Sequence, residues 1–276
     1  MKKSFKLIIS ALFLIFNLNI NAQNWTPEDI ASGLQGWYDA SDASTIVKSG
    51  SSVSQWNDKS GSGFNLSQST TSRQPQSGST INSLNALNFT GSDLRTSSNP
   101  FGSQVSNAAI FMVAKTDSTN NGTAFSLTGT PSNANRWNAH LGWGTTAYFD
   151  AGGTSGDQRI NKTGWSTSGE VWLAGLYNST TDQVQQIYKN GSLFVGDSSA
   201  QAVTTAGNLF IGSDGRSTFQ DMTLGEVVII NGTVSTALRE KIEGYLAHKW
   251  GMAGNLPASH PYKNAAPQKD NSWTPA

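Results

Sequence analysis

Residues 136–150 hold the densest run of side chains able to do chemistry: Arg136, Trp137, Asn138, His140, Trp143, Tyr148 and Asp150. A sugar ring presents an apolar C–H face and a fringe of hydroxyls. A site for it therefore needs flat aromatics to stack on and Asn, Asp, Arg or His for directional hydrogen bonds. The run supplies both, which makes these seven residues the candidate glycan-binding set. Arg136, His140 and Tyr148 are also types that a polysaccharide lyase uses, a base beside a group that neutralises a uronate, provided that the fold brings them within hydrogen-bond reach.

Other chemistry is poorly supplied. Glycoside hydrolysis needs two carboxylates facing one bond. Beyond residue 22 the only glutamates are Glu28, Glu170, Glu226, Glu240 and Glu243. Glu226 opens an apolar run and reads as a structural strand-end residue, while Glu240 and Glu243 fall on a helical pattern and read as solvated. There is no cysteine, so thiolate metal sites and thiol nucleophiles are excluded. His140, His248 and His260 lack metal-ligand spacing, and no nucleophile elbow, phosphate loop or dinucleotide fingerprint occurs. If a metal is bound, calcium suits the oxygen ligands available, with Asp150, Asp157 and Asp214 as candidates. Each of these also sits near glycine, where aspartate is an ordinary turn former.

The sequence has 276 residues, with 18 Lys and Arg balancing 18 Asp and Glu. Such a charge balance argues against the basic footprint of a nucleic-acid binder. Segment 1–22 reads as a signal peptide: Lys2, Lys3 and Lys6 precede an apolar run over 7–18, and Ala22 is a small residue suited to cleavage. The run is too short to span a bilayer comfortably, and no second one follows, so an integral membrane protein is not expected. Loss of the leader leaves 15 basic and 18 acidic residues. A secreted, mildly acidic, soluble product is expected, released or held at the cell surface.

The elements that must position these residues are mainly strands. Short apolar stretches recur between clusters of Gly, Asn, Ser, Thr and Asp. Residues 109–114 and 227–230 are continuous apolar runs, as expected of strands covered on both faces, and 171–177 reads as another strand. Asn190-Gly191 between apolar stretches predicts a hairpin. From Ser235, a capping residue, Leu238, Ile242, Tyr245, Leu246 and Trp250 recur at helical spacing up to Gly251, predicting one amphipathic helix. Trp37, Trp56, Trp172 and Trp250 are assigned to core or helix packing. Trp137 and Trp143 could serve either in the core or on a concave surface, the glycines at 142 and 144 suggesting a loop around the second. Residues 264–276 lack periodicity and read as a flexible tail.

The pieces 36–40 (GWYDA), 56–65 (WNDKSGSGFN), 188–191 (YKNG), 210–213 (FIGS) and 225–231 (GEVVIIN) resemble bacterial laminin-G-like domains of the concanavalin A-like lectin/glucanase superfamily. The closing run 242–251 with Leu256-Pro257 and His260-Pro261-Tyr262 is similar to the C-terminal signature of a secreted branch. The likeness covers 34–263. It implies an all-β fold, a two-sheet antiparallel jelly-roll sandwich with one C-terminal helix, spanning 23–263. It also implies a non-catalytic carbohydrate-binding (lectin) or adhesion module, with glycans or extracellular proteins as partners and in many relatives a calcium ion at the rim. The Glu-x-Asp-x-x-Glu strand of the glucanase branch is missing. A structural or protein-binding surface component is the alternative reading, and a polysaccharide lyase or hydrolase a further one.

Overall fold

The computed structural model describes residues 23–127, 135–154, 156–198, 200–204 and 207–269, so the leader read at 1–22 and the last residues of the tail lie outside the described residues. Strands β1 (Leu34–Asp39), β2 (Ile46–Ser49), β3 (Ser52–Trp56), β4 (Leu66–Ser67), β5 (Gln76–Ile81), β6 (Leu84–Asn88) and β7 (Leu94–Arg95) come first. They are followed by β8 (Gln104–Val105), β9 (Asn107–Thr116), β10 (Phe125–Leu127), β11 (Arg136–Trp143), β12 (Thr146–Gly152), β13 (Arg159–Thr163) and β14 (Val171–Ser179). Last come β15 (Val184–Lys189), β16 (Ser192–Asp197), β17 (Val203–Thr204), β18 (Leu209–Ile211) and β19 (Met222–Asn231), then the helix α1 (Thr236–Lys249).

The fold is mostly β, and its strand ladders are antiparallel. One run of paired strands is β1–β19–β9–β14–β15–β16, and another is β4–β7–β18–β10–β11–β12–β13. Strands β6 and β5 link β19 to β3, which pairs in turn with β4, so the sheet turns back on itself and nearly closes. The hairpin expected at Asn190-Gly191 joins β15 to β16, both turn residues taking positive φ (51° and 78°).

Side-chain parity explains the continuous apolar runs. In β9, Ala108, Ile110, Met112 and Ala114 enter the main core, whereas Ala109, Phe111 and Val113 enter a second cluster. In β19, Val227 and Ile229 divide from Val228 and Ile230 in the same way. Strands buried on both faces need apolar residues of both parities, which erases the period-2 pattern. The second cluster lies under α1, which contributes Ile242, Leu246 and Ala247 and is continued by Trp250. Ser235 caps the helix by accepting from the Leu238 amide at 3.2 Å, and Gly251 follows it at φ +70°.

Two expectations need correction. Glu243 is not solvated: it is fully buried and its carboxylate accepts from Arg239 at 2.5 Å and faces His260 at 3.3 Å. The helix turns Glu243 toward the same side as Arg239, and the segment after the helix folds back with His260 to cover it. The tail is also tied down as far as residue 269. The Trp25 amide donates to Pro267, that of Lys269 to Gln23, and Lys269 pairs with Asp29 at 2.9 Å.

Candidate functional site

Alternation along β11 and β12 sorts the candidate residues between two faces. Trp137, Ala139 and Leu141 of β11, with Ala147, Phe149 and Ala151 of β12, point into the main core. Arg136, Asn138 and His140, with Tyr148 and Asp150, therefore share the opposite face. Register then aligns them into rows. Ser126 of β10 lies opposite Asn138, Asn138 opposite Asp150, and Asp150 opposite Arg159 of β13, giving one polar row across four strands. The neighbouring row runs His140, Tyr148, Asn161.

Trp137 is thus corrected from the binding set to the core. It is fully buried among Phe101, Phe125 and Phe149, with ring centroids 4.8–6.1 Å away. Trp143 has the same parity and would follow it inward on a regular strand. The register shift between Leu141 and Trp143, with Gly142 at φ +113°, re-aims it. Its indole instead stands edge-on to His140, centroids 4.8 Å apart, and is half-buried on the outer face.

These side chains wall a cavity of about 420 Å³. Arg136, Asn138, His140, Trp143 and Tyr148 line it, joined by Thr123, Ser126, Arg159, Arg216 and Thr218, which the sequence reading did not single out. Arg159 had a local signal, a basic residue nine positions beyond Asp150 where a returning strand would place it opposite. Thr123, Ser126, Arg216 and Thr218 come from distant segments and had none.

Asp150 lies beneath the cavity, fully buried. Its Oδ2 accepts from Arg136 Nε at 2.8 Å and Arg159 Nη2 at 2.7 Å, its Oδ1 from Arg159 Nε at 2.5 Å, and Arg136 Nη2 also reaches it. The same carboxylate holds the Arg159 guanidinium above its ordinary pKa, and that guanidinium stacks 4.8 Å from the Tyr148 ring centre. His140 Nδ1 donates to the Gly122 carbonyl at 2.9 Å, which commits that nitrogen as the N–H and leaves Nε2 as the acceptor, 3.4 Å from Asn138 Nδ2. Burial, only partly offset by the Gly122 carbonyl, pulls the His140 pKa below its ordinary value, so the ring is neutral. Gly122 permits this because a β-carbon there would lie 2.3 Å from the Phe219 carbonyl oxygen.

Two polar atoms of the lining, Ser126 Oγ and Asn138 Oδ1, are buried without a hydrogen-bond partner. Ser126 is fully buried and Asn138 99% so.

Two of the three calcium candidates are already engaged by N–H donors. Both Asp150 oxygens already face guanidinium groups, and a cation there would meet two positive charges. Asp214 Oδ1 accepts from the amides of Arg216, Ser217 and Thr218 at 2.9–3.1 Å. Although burial acts to raise its pKa, these backbone donors hold it below the usual carboxylate range. Asp157 is exposed on the turn Gly156–Gln158. Among the described residues no group of three or more metal-binding side chains converges.

No family profile matches the sequence, and no curated protein matches it. Solved structures do share the fold. Domain 4 of AbnA, a GH43 extracellular arabinanase from Geobacillus stearothermophilus, in complex with arabinotriose, has 12% identity and a TM-score of 0.53, over 75% of this chain and 96% of that one. The receptor binding domain of botulinum neurotoxin type G has 13% identity and a TM-score of 0.53, over 80% and 51%. Trypanosoma rangeli sialidase in complex with sialic acid has 14% identity and a TM-score of 0.53, over 79% and 33%. This chain spans about a third of the sialidase and half of the neurotoxin domain. At such identities the likeness is one of fold, and the class it defines is a mostly antiparallel β domain.

Proposed function

We propose that the protein is an exported carbohydrate-binding module of laminin-G-like, jelly-roll type, with its sugar site in the cavity across β10–β13. The observation that carries this reading is the pair of buried, unpartnered polar atoms, Ser126 Oγ and Asn138 Oδ1, in the lining of an aromatic-edged hollow. A buried group without a hydrogen bond costs about 1–3 kcal/mol. A ligand hydroxyl, able to donate and accept at once, would satisfy either atom once a small side-chain rotation brought it to the cavity surface. Trp143 and Tyr148 supply the flat surfaces, and a cavity of about 420 Å³ is of the size that takes a small saccharide. That neighbours of like fold were solved with arabinotriose and with sialic acid adds support.

Binding without cleavage is favoured by the state of the acids. Asp150 is committed to two arginines and Asp214 to three amides, so among the described residues of the cavity no carboxyl pair is left for acid and base roles. A lyase is the second reading, favoured by one observation: the neutral His140 Nε2 shares the cavity with Arg136 and Tyr148. The test is a glycan array with the purified mature chain, followed by calorimetry on hits and ultraviolet assay for unsaturated products. Saturable binding lost in Asn138→Ala, with folding intact by circular dichroism, is expected. No binding to any sugar would overturn the proposal, and unsaturated products would replace it with the lyase.

A further inference from the structure

Resting on the carbohydrate-binding reading, we propose that this cavity selects acidic sugars, a ring carboxylate being taken by Arg136, Arg159 and Arg216. The three guanidiniums line one cavity, against the carboxylates of Asp150 below and Asp214 at the side, so the site carries one positive charge in excess. The chain as a whole has formal net charge zero, so the surplus is local. His140 does not alter the balance, because burial keeps it neutral.

The donors are also arranged for a planar anion. Arg136 and Arg159 each spend Nε and Nη2 on Asp150. The Nη1 groups of both make no hydrogen bond among the described residues, and the two side chains line the cavity with 15% and 22% of their surface exposed. Asp150 therefore acts as a clamp: it fixes two guanidinium planes from below and leaves their outer N–H groups for a ligand. Arg216, exposed at the rim, enters no ion pair among the described residues. Its position is set by the turn in which Asp214 gathers the amides of residues 216–218. Fixed N–H forks suit carboxylate oxygens, and their preorganisation lowers the entropy lost on binding. A neutral sugar would leave these donors to water.

Matched pairs test the idea: trigalacturonate against galactotriose, and sialyllactose against lactose, titrated by calorimetry at low and high sodium chloride, with sulfated lactose as a third acidic probe. The acidic member of at least one pair should bind about tenfold tighter or more. The preference should shrink at high salt and fall about tenfold in Arg216→Ala, a rim variant whose folding is not at issue, the acidic member losing more affinity than its neutral partner. Equal or better binding of the neutral members would overturn the inference and leave the carbohydrate reading standing. Sulfated lactose binding as tightly as the carboxylated sugars would overturn the carboxylate assignment. No binding to any of these sugars, nor to a wider array, would overturn both.

Discussion

Replacing Glu226 with alanine should unfasten α1 from the sheet. This carboxylate is fully buried. Its Oε1 accepts from Trp37 Nε1 at 2.7 Å and the Tyr245 hydroxyl at 2.8 Å, and its Oε2 from Lys249 Nζ at 2.6 Å and Trp250 Nε1 at 2.7 Å. Strand β1, strand β19 and the helix thus meet on one side chain. In the variant the two indoles lose their acceptor, at about 1–3 kcal/mol each. The Tyr245 hydroxyl can rotate, and Lys249 keeps Asp39 at 2.7 Å, so both add less. Relief of burying Glu226 itself offsets part of the loss. The net should be about 3–5 kcal/mol, the usual range for removing one partner of a buried ion pair, or a Tm lower by about 10 °C at this chain length. Glutamine should recover only part of it, because its amide N–H₂ meets donors and indoles cannot accept. Urea unfolding followed by tryptophan fluorescence measures the difference, and sugar affinity should be unchanged because the cavity lies on other strands. A loss below about 1 kcal/mol for the alanine variant would refute the argument that these orphaned donors matter.

The two tryptophans flanking the bulge should part company. Trp143→Ala should weaken sugar binding by about tenfold with little change in stability, whereas Trp137→Ala should cost about 3–5 kcal/mol of stability; calorimetry and urea melts separate them. Chelation by EGTA should leave both Tm and sugar affinity unchanged, since Asp150 and Asp214 already accept from N–H donors; a Tm raised by added calcium would count against that. For His140 the folded pKa lies below the unfolded value of 6.5, so the unfolded chain takes up the proton first. Its stabilising share is present above 6.5 and declines as pH falls below it, and His140→Gln should flatten the acid limb of a stability–pH curve measured by urea melts.

What the sequence makes legible is local. The Asn190-Gly191 turn, the Ser235 cap and the two-sided apolar runs each follow from a few neighbouring residues, and each is found where expected. The cluster 136–150 was legible for the same reason, since β11 and β12 form a hairpin and parity alone places alternate residues together. What escaped depends on chain returning from far away. Ser126 joins the polar row only through β10 pairing with β11, and Arg216 reaches the cavity on the turn after β18. Glu243 looked solvated because its partner, His260, arrives from beyond the helix. Trp137 and Trp143 could not be told apart by residue type, as one register shift at Gly142 decides which enters the core.

The polar row across β10–β13 sets folding against binding. Its inner neighbours, Phe125, Trp137, Ala139 and Phe149, are packed into the main core, so the register of these strands is strongly specified from below. With the backbone held there, the outer face can carry residues that do little for stability. Ser126 and Asn138 each leave a buried atom unpaired, and Asp150 gathers two arginines whose Nη1 groups make no hydrogen bond among the described residues. An apolar outer face would fold at least as well, since buried ion pairs are often replaced without loss. Local frustration of this sort, concentrated on one face of an otherwise consistent β fold, is where a ligand can contribute most. Its hydroxyls and charge would complete a hydrogen-bond inventory that the chain leaves open.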